Sequence, residues 1–180
     1  MKFDKQPILK GEQVTLRPME TKDYEALFEI ASDIKIWDQH PSWNRYKKQV
    51  FKKLFRESME SGGCLVIIDN VTGKIIGSSR YHGYDESSSE IEIGWTFIAR
   101  NYWGGSVNRE IKGLMLKHAF QFIDHAVFLV GPENFRSRRA MEKIGGKVVE
   151  LRVDGNGTEC LVYRINAQDD WFDNLNKYRD

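Results

Sequence analysis

The sequence predicts an α/β (α+β) fold, with a mixed, mostly antiparallel central sheet of about seven strands flanked by helices. Three observations carry this reading. Short apolar or alternating runs bounded by turn residues interleave with segments whose apolar residues recur three and four positions apart. Turn residues at Asp69-Asn70-Val71-Thr72-Gly73 and Asp154-Gly155-Asn156-Gly157 join neighbouring runs as hairpins. Between those hairpins a strand, a glycine turn, a helix and a second strand follow one another, which makes a parallel, right-handed crossover.

Glu12 to Arg17 alternates, with Val14 and Leu16 on one face, and ends at Pro18 as a strand. Thr21 is placed to cap a helix whose stripe is Tyr24, Leu27, Phe28 and Ala31. An aromatic loop, Ile36 to Trp43, precedes a second helix over about Asn44 to Ser61. That helix carries Tyr46, Val50, Phe51, Leu54, Phe55 and Met59, and its other faces hold Lys47, Lys48, Lys52, Lys53 and Arg56, read as a solvated face. Gly62-Gly63 ends it. Cys64 to Ile68, Lys74 to His82 and Ser89 to Ile98 form a meander, with Ile91 and Ile93 on one face of the last strand and Glu90 and Glu92 on the other. Trp103-Gly104-Gly105-Ser106 opens a helix of Ile111, Leu114, Met115, Ala119, Phe122 and Ile123. Ala126 to Val130 is a strand, Phe135 to Ile144 a helix, and Lys147 to Val153 and Thr158 to Ile165 a hairpin. Asp169 to Tyr178 reads as a terminal helix. The chain is expected to be a single domain over 1–180, with residues from about 166 to 180 as a helical extension.

The 180 residues carry 27 Lys and Arg against 26 Asp and Glu, a net charge of +1. A binder of nucleic acid working by bulk charge needs a basic excess, so the balance argues against that class, though not against a local basic patch. No apolar run approaches the roughly 18 residues of a membrane span, and the first residues show no signal-peptide pattern. The expected address is the cytoplasm, with no membrane partner. Cys64 and Cys160 sit in apolar runs far apart and read as buried thiols rather than a bridge.

Several chemistries are missing. There is no G-x-x-x-x-G-K-[ST] loop, no G-x-G-x-x-G fingerprint and no G-x-S-x-G elbow. His40, His82, His118 and His125 are dispersed, so no metal site is expected. His118 falls on an apolar helix face and reads as a core histidine. What remains is the strand, glycine turn and helix over residues 98 to 110. Gly104-Gly105 lets a ligand approach the backbone, and the first helical turn offers N–H groups and partial positive charge to an anion.

Two segments in register resemble the signatures of the GNAT superfamily of N-acetyltransferases, in particular the RimJ/RimL-like branch. The first runs from Glu92-Ile93-Gly94-Trp95-Thr96-Phe97 to Tyr102-Trp103-Gly104-Gly105-Ser106-Val107-Asn108-Arg109-Glu110. The second is Gly131-Pro132-Glu133-Asn134-Phe135-Arg136-Ser137 through Glu142-Lys143-Ile144-Gly145-Gly146. The likeness covers nearly the whole chain, from Leu9 to about Arg164. It implies a fourth strand with a bulge whose backbone near Phe97 and Ile98 pairs with the pantetheine arm of acetyl-CoA, the cosubstrate. It implies a turn of Trp103, Gly104, Gly105, Ser106, Val107 and Asn108 around the pyrophosphate, a splayed opening for the thioester, and Asn134 on the pantetheine. Two positions depart from the family's [QR]-x-x-G-x-[GA] pattern: Ser106 stands for a glycine and Asn108 for a small residue. The serine hydroxyl can donate to a phosphate. Met141 replaces the usual helix tyrosine and cannot protonate a thiolate, so that task falls elsewhere or to water.

The expected reaction is acetyl transfer to an amine in a ternary complex, with a protein N-terminus or a small-molecule amine as acceptor. Glu92, heading the E-I-G-W phrase, is the expected base, with Glu90 as the alternate. The resemblance gives Ser137 the role of hydrogen-bonding the sulfur first and of donating a proton to it second, and a helix-start cap is its other reading. Trp37, His40, Tyr81 and His82 are expected to wall the acceptor pocket, although aromatics in such loops also serve packing alone. The Arg136–Lys143 basic run is either a ribose-phosphate contact or a solvated face. A non-catalytic acyl-CoA-binding module is the alternative function. Exposed strand edges at the C-terminal hairpin permit a homodimer.

Overall fold

A computed structural model describes residues 3–153 and 157–176. One eight-stranded sheet runs through it in the order β1-β2-β3-β4-β5-β6-β8-β7. The strands are β1 (Leu9–Lys10), β2 (Val14–Pro18), β3 (Cys64–Asp69), β4 (Ile75–Asp85), β5 (Glu90–Ile98), β6 (His125–Val130), β7 (Lys147–Val153) and β8 (Glu159–Asn166). Only β5 and β6 pair in parallel; the other neighbours are antiparallel. The helices are α1 (Tyr24–Ala31), α2 (Lys48–Glu60), α3 (Val107–Ala119), α4 (Phe135–Lys143) and α5 (Trp171–Asn176).

The eighth strand, β1, lies beyond the seven expected. Two residues are too few to show a period. Its register, Leu9 opposite Leu16, is set from outside, by the Glu110 carboxylate on α3. That carboxylate accepts the N–H groups of Glu12 and Gln13 in the connecting turn. The second helix is also shorter than its apolar spacing implies. A 3-10 turn covers Trp43–Tyr46, Lys47 is extended with ψ 129°, and α2 then begins. Thr21 is not the cap of the first helix. The Asp23 carboxylate accepts from the Glu20 N–H at 2.8 Å while both its oxygens take the Arg17 guanidinium at 2.8 Å. The turn Asp154-Gly155-Asn156 lies outside the described residues, as do the last positions of the expected terminal helix.

The sheet is buried on both faces around β3, which is why β3 reads as an unbroken apolar run, while the edge strand β7 is exposed along its length. On one face Leu16, Leu65, Ile67, Tyr81, Ile91 and Ile93 pack with Ile111, Met115, Leu116 and Ala119 of α3. On the other, Cys64, Val66 and Phe97 pack with Leu27 and Ala31 of α1 and Phe51, Leu54 and Phe55 of α2. The lysines of α2 are exposed, as its polar faces predict. Cys64 and Cys160 are both buried and are not joined to each other; burial pushes the Cys64 thiol up to about 11. Among the described residues no helix is long and apolar enough to cross a membrane.

Candidate active site

The sheet opens in its middle. β5 pairs with β6 only over Glu90–Glu92, opposite His125–Val127. Beyond that point β5 stays on β4 through Ile98, and β6 stays on β8 through Val130, so the two diverge. The opening is a cleft of about 1400 Å³. Glycine turn and α3 close one end of it, α4 one side, and the loop around His40 the other.

A bulge sits on the β5 wall. Ser78 pairs with Phe97 and Arg80 with Gly94, which leaves Trp95 and Thr96 opposite the single Ser79. The extra residue therefore falls two positions before the expected site at Phe97 and Ile98, which are back in register while still lining the cleft. Trp95 takes φ +50°, a costly conformation for a bulky residue. Two side chains of β4 hold it there. The Trp95 ring lies 4.3 Å from the Arg80 guanidinium and 5.0 Å from the His82 ring. Thr96 turns to the α3 side, its Oγ1 2.7 Å from Ser79 Oγ.

The turn before α3 is an open cradle. Gly104 has φ +74°, which favours glycine, and added side-chain carbons at Gly104 and Gly105 would meet nothing within 4 Å. The first helical bond of α3 is Glu110 N–H to Ser106 O, so the amides of residues 106–109 precede it and are available to an anion. Trp103, Gly104, Gly105, Ser106 and Asn108 line the cleft. The Val107 side chain packs on the core instead. The Ser106 hydroxyl is committed: it donates to Gln13 Oε1 at 2.8 Å.

Across the cleft, α4 begins at Asn134, which is 5% exposed and caps the helix by accepting the Ser137 N–H at 3.2 Å. Ser137 is thus the capped residue rather than the cap, and its side chain borders the cleft. The basic run divides. Arg136 stacks 3.9 Å over Trp103 and donates to Ile36 O at 2.9 Å. Arg138 donates to Pro132 O, while Arg139 and Lys143 reach the cleft.

Glu92 borders the cleft where the strands part, and burial pushes its carboxyl up to about 7 against the pull of Arg152 and Arg80. Among the described lining residues it is the sole carboxylate. Glu90 is outside the lining and holds Arg164 at 2.8 Å.

The expected acceptor wall is brought together only in part. His40 and His82 line the cleft. His40 Nδ1 accepts the Ser42 N–H at 2.9 Å, and burial, then Arg45 and Arg136, hold its pKa down at about 3. Trp37 reaches the lining but is 2% exposed, its ring against Phe97 and its Nε1 donating to Ala31 O. It is chiefly a core residue. Tyr81 is not in the cleft. Strand alternation turns it to the α3 face, where it is fully buried and donates to Met115 O at 2.7 Å. Arg45 and Arg152 stand on the wall in addition. So does Cys160, which apolar surroundings alone assigned to the core.

Sequence reading missed Lys112. It is 4% exposed, lines the cleft, and donates to Thr96 Oγ1 at 2.6 Å. Its spacing was the available signal: Lys112 falls three before Met115 and four before Leu116, on the stripe that packs beneath the sheet.

Comparison with known proteins agrees with this geometry. The family profile described as "Acetyltransferase (GNAT) domain" matches residues 13–147. A GCN5-related N-acetyltransferase from Brucella melitensis superposes with TM-score 0.81 at 19% identity, over 97% of this chain and 84% of that one. Mycobacterium smegmatis RimJ, solved in complex with CoA-disulfide, superposes with TM-score 0.69 at 20% identity, over 91% and 88%. An acetyltransferase from Agrobacterium tumefaciens gives TM-score 0.68 at 25% identity, over 88% and 94%. No curated protein sequence matches the chain. The chain belongs to the GNAT acetyltransferase family, and it is an acyltransferase.

Proposed function

We propose that the protein transfers an acetyl group from acetyl-CoA to a primary amine by direct attack in a ternary complex. The observation that carries this is the parting of β5 from β6 directly beside the open glycine turn. The residues fit the cosubstrate. Free amides at residues 106–109 suit the pyrophosphate, and the unpaired inner edge of β5 suits an extended pantetheine arm. Asn134, whose Nδ2 has no partner among the described residues, suits a pantetheine carbonyl.

The acceptor must be neutral to attack. At pH 7 an α-amino group of pKa about 7.7–8.0 is roughly a tenth neutral, while a lysine is neutral in about 4 parts in 10,000. Glu92 takes the proton lost by the attacking nitrogen, and a carboxyl held near 7 is matched to that work at neutral pH. Backbone N–H groups of β5 stabilise charge on the carbonyl oxygen. Ser137 hydrogen-bonds the sulfur. His40, His82 and Arg45 form the acceptor wall, open to a peptide N-terminus or a small amine.

Thiol release from acetyl-CoA with a panel of amines and N-terminal peptides tests this reading. Turnover with at least one class is expected. Calorimetry showing no binding of CoA would overturn it, and binding without turnover on any amine would favour a non-catalytic acyl-CoA-binding module.

Ser106→Gly is expected to leave the Kd for CoA within about threefold, because the hydroxyl is spent on Gln13. It costs roughly 1 kcal/mol of stability through that lost bond. A tenfold loss of affinity by calorimetry would show that the hydroxyl leaves Gln13 to bind phosphate.

A further inference from the structure

We infer that Lys112 gives the proton to the sulfur that leaves during acyl transfer. The inference rests on the acetyl-transfer reading above. Lys112 lies on the second turn of α3 and lines the cleft. Its Nζ donates to Thr96 Oγ1 at 2.6 Å and stands 5.3 Å from the centroid of the Phe128 ring. Thr96 is a bulge residue of β5, and Phe128 is the first β6 residue past the last pair, Glu92 with Val127. The ammonium therefore spans the point where the two strands part, and any group seated at the bottom of the opening rests against it.

It is held for a purpose other than charge pairing. No carboxylate forms an ion pair with it among the described residues. Ser79 Oγ lies 2.7 Å from the same Thr96 oxygen, so Thr96 can accept from Lys112 and donate to Ser79. That chain fixes the ammonium through one of its three N–H groups and leaves two for the cleft. Burying an unpaired ammonium is costly, and an aliphatic residue would pack at this stripe position without that cost. Such a cation is useful where negative charge appears during reaction, and a breaking C–S bond supplies it. Burial holds the Lys112 amine at about 7, so it carries and releases a proton near neutral pH. Met141, buried on α4, has no proton to offer.

The step balances. The acceptor nitrogen forms its bond to the acyl carbon as the C–S bond breaks and its electron pair goes to sulfur. Sulfur takes a proton from the Lys112 ammonium, giving the free thiol and a neutral amine. Glu92 takes the proton from nitrogen, and exchange with water restores both side chains. The sum is amine plus thioester to amide plus thiol.

The test is an ultraviolet titration of the CoA thiolate bound to the protein, with binding followed separately by calorimetry. In wild type the bound thiol is expected to ionise at least about one unit below the ordinary thiol value of about 8.5. Lys112→Met should return it to that value and slow turnover at least tenfold. Lys112→Arg should keep the lowered midpoint, because the charge remains, yet stay slow, because a guanidinium does not release its proton. An ordinary midpoint in wild type with CoA bound, a lowered one surviving in Lys112→Met, or full turnover in Lys112→Arg would each overturn the inference. Failure of CoA to bind would instead strike the cosubstrate reading, and this inference with it. The wild-type titration and the arginine variant decide the matter should the methionine variant fail to fold.

Discussion

Replacing Glu92 with glutamine is expected to lower kcat by about 100- to 1,000-fold, within the range a positioned general base contributes, while CoA binds within about threefold. The neutral amide keeps the shape of the side chain and removes its basicity. Glu92 stands at the last paired position of β5, beside the opening, and no other described carboxylate lines the cleft. Glu90 cannot substitute for it, because its carboxylate is occupied by Arg164. The sign of the pH dependence follows from the raised pKa. Burial holds Glu92 at about 7; below that value the carboxyl is protonated and idle, and above it the base form is available. Wild-type turnover should therefore rise on its acid side with a midpoint near 7, while loss of the Lys112 proton near the same value brings it down on the alkaline side. Glu92→Gln should lose the acid limb and keep the alkaline one. Stopped-flow or steady-state pH profiles measure this; an unchanged kcat, or a profile that keeps its acid limb near 7, removes Glu92 from the role.

Gly77→Val should destabilise the fold by about 3 kcal/mol or more, as overpacking against backbone does. An added side-chain carbon at Gly77 would sit 2.1 Å from the Phe97 carbonyl oxygen and 2.9 Å from Ile98 Cα. Both neighbours are main-chain atoms of β5, held in register with Ser78 and Gly77 just after the bulge. They cannot yield without unzipping the strand that carries Glu92. For a chain of this size 1 kcal/mol moves Tm by about 2–4 °C, so a fall of roughly 6–12 °C is expected by calorimetry. CoA affinity should fall too, because the Phe97–Ile98 edge forms a wall of the cleft. A Tm within 2 °C of wild type would show that β4 and β5 are not as close as this.

The element order was legible because each long element repeats its apolar residues at its own period. Leu27 and Ala31, Phe51 and Phe55, and Ile111, Met115 and Ala119 mark helices by spacing alone, and all are buried. Ile91 and Ile93 mark a strand in the same way. The glycine turn was legible for a different reason. Only glycine adopts φ +74° at little cost, so Gly104 announces a turn whatever surrounds it. The resemblance in two segments supplied the family, and Glu92 stood out because it heads one of them.

Side-chain facing across distant elements was not legible. Tyr81 and His82 are adjacent letters, yet pleating sends one into the α3 core and the other to the cleft. The bulge at Trp95 and Thr96 depends on Arg80 and Ser79 of β4 and Lys112 of α3 reaching it, and no local period records that. The two-residue β1 exists because Glu110 grips its turn from α3. Lys112 reads as an ordinary helix lysine until the sheet closes over it and its charge has nowhere else to go. Periodicity reports only what a residue's neighbours a few positions away will do, which is enough to lay out strands, helices and the glycine turn. Burial of charge, register shifts and the pairing of groups 16 or 97 positions apart, as in Lys112 with Thr96 and Gln13 with Glu110, arise only when the elements pack, because the free energy that fixes them lies between elements rather than within one.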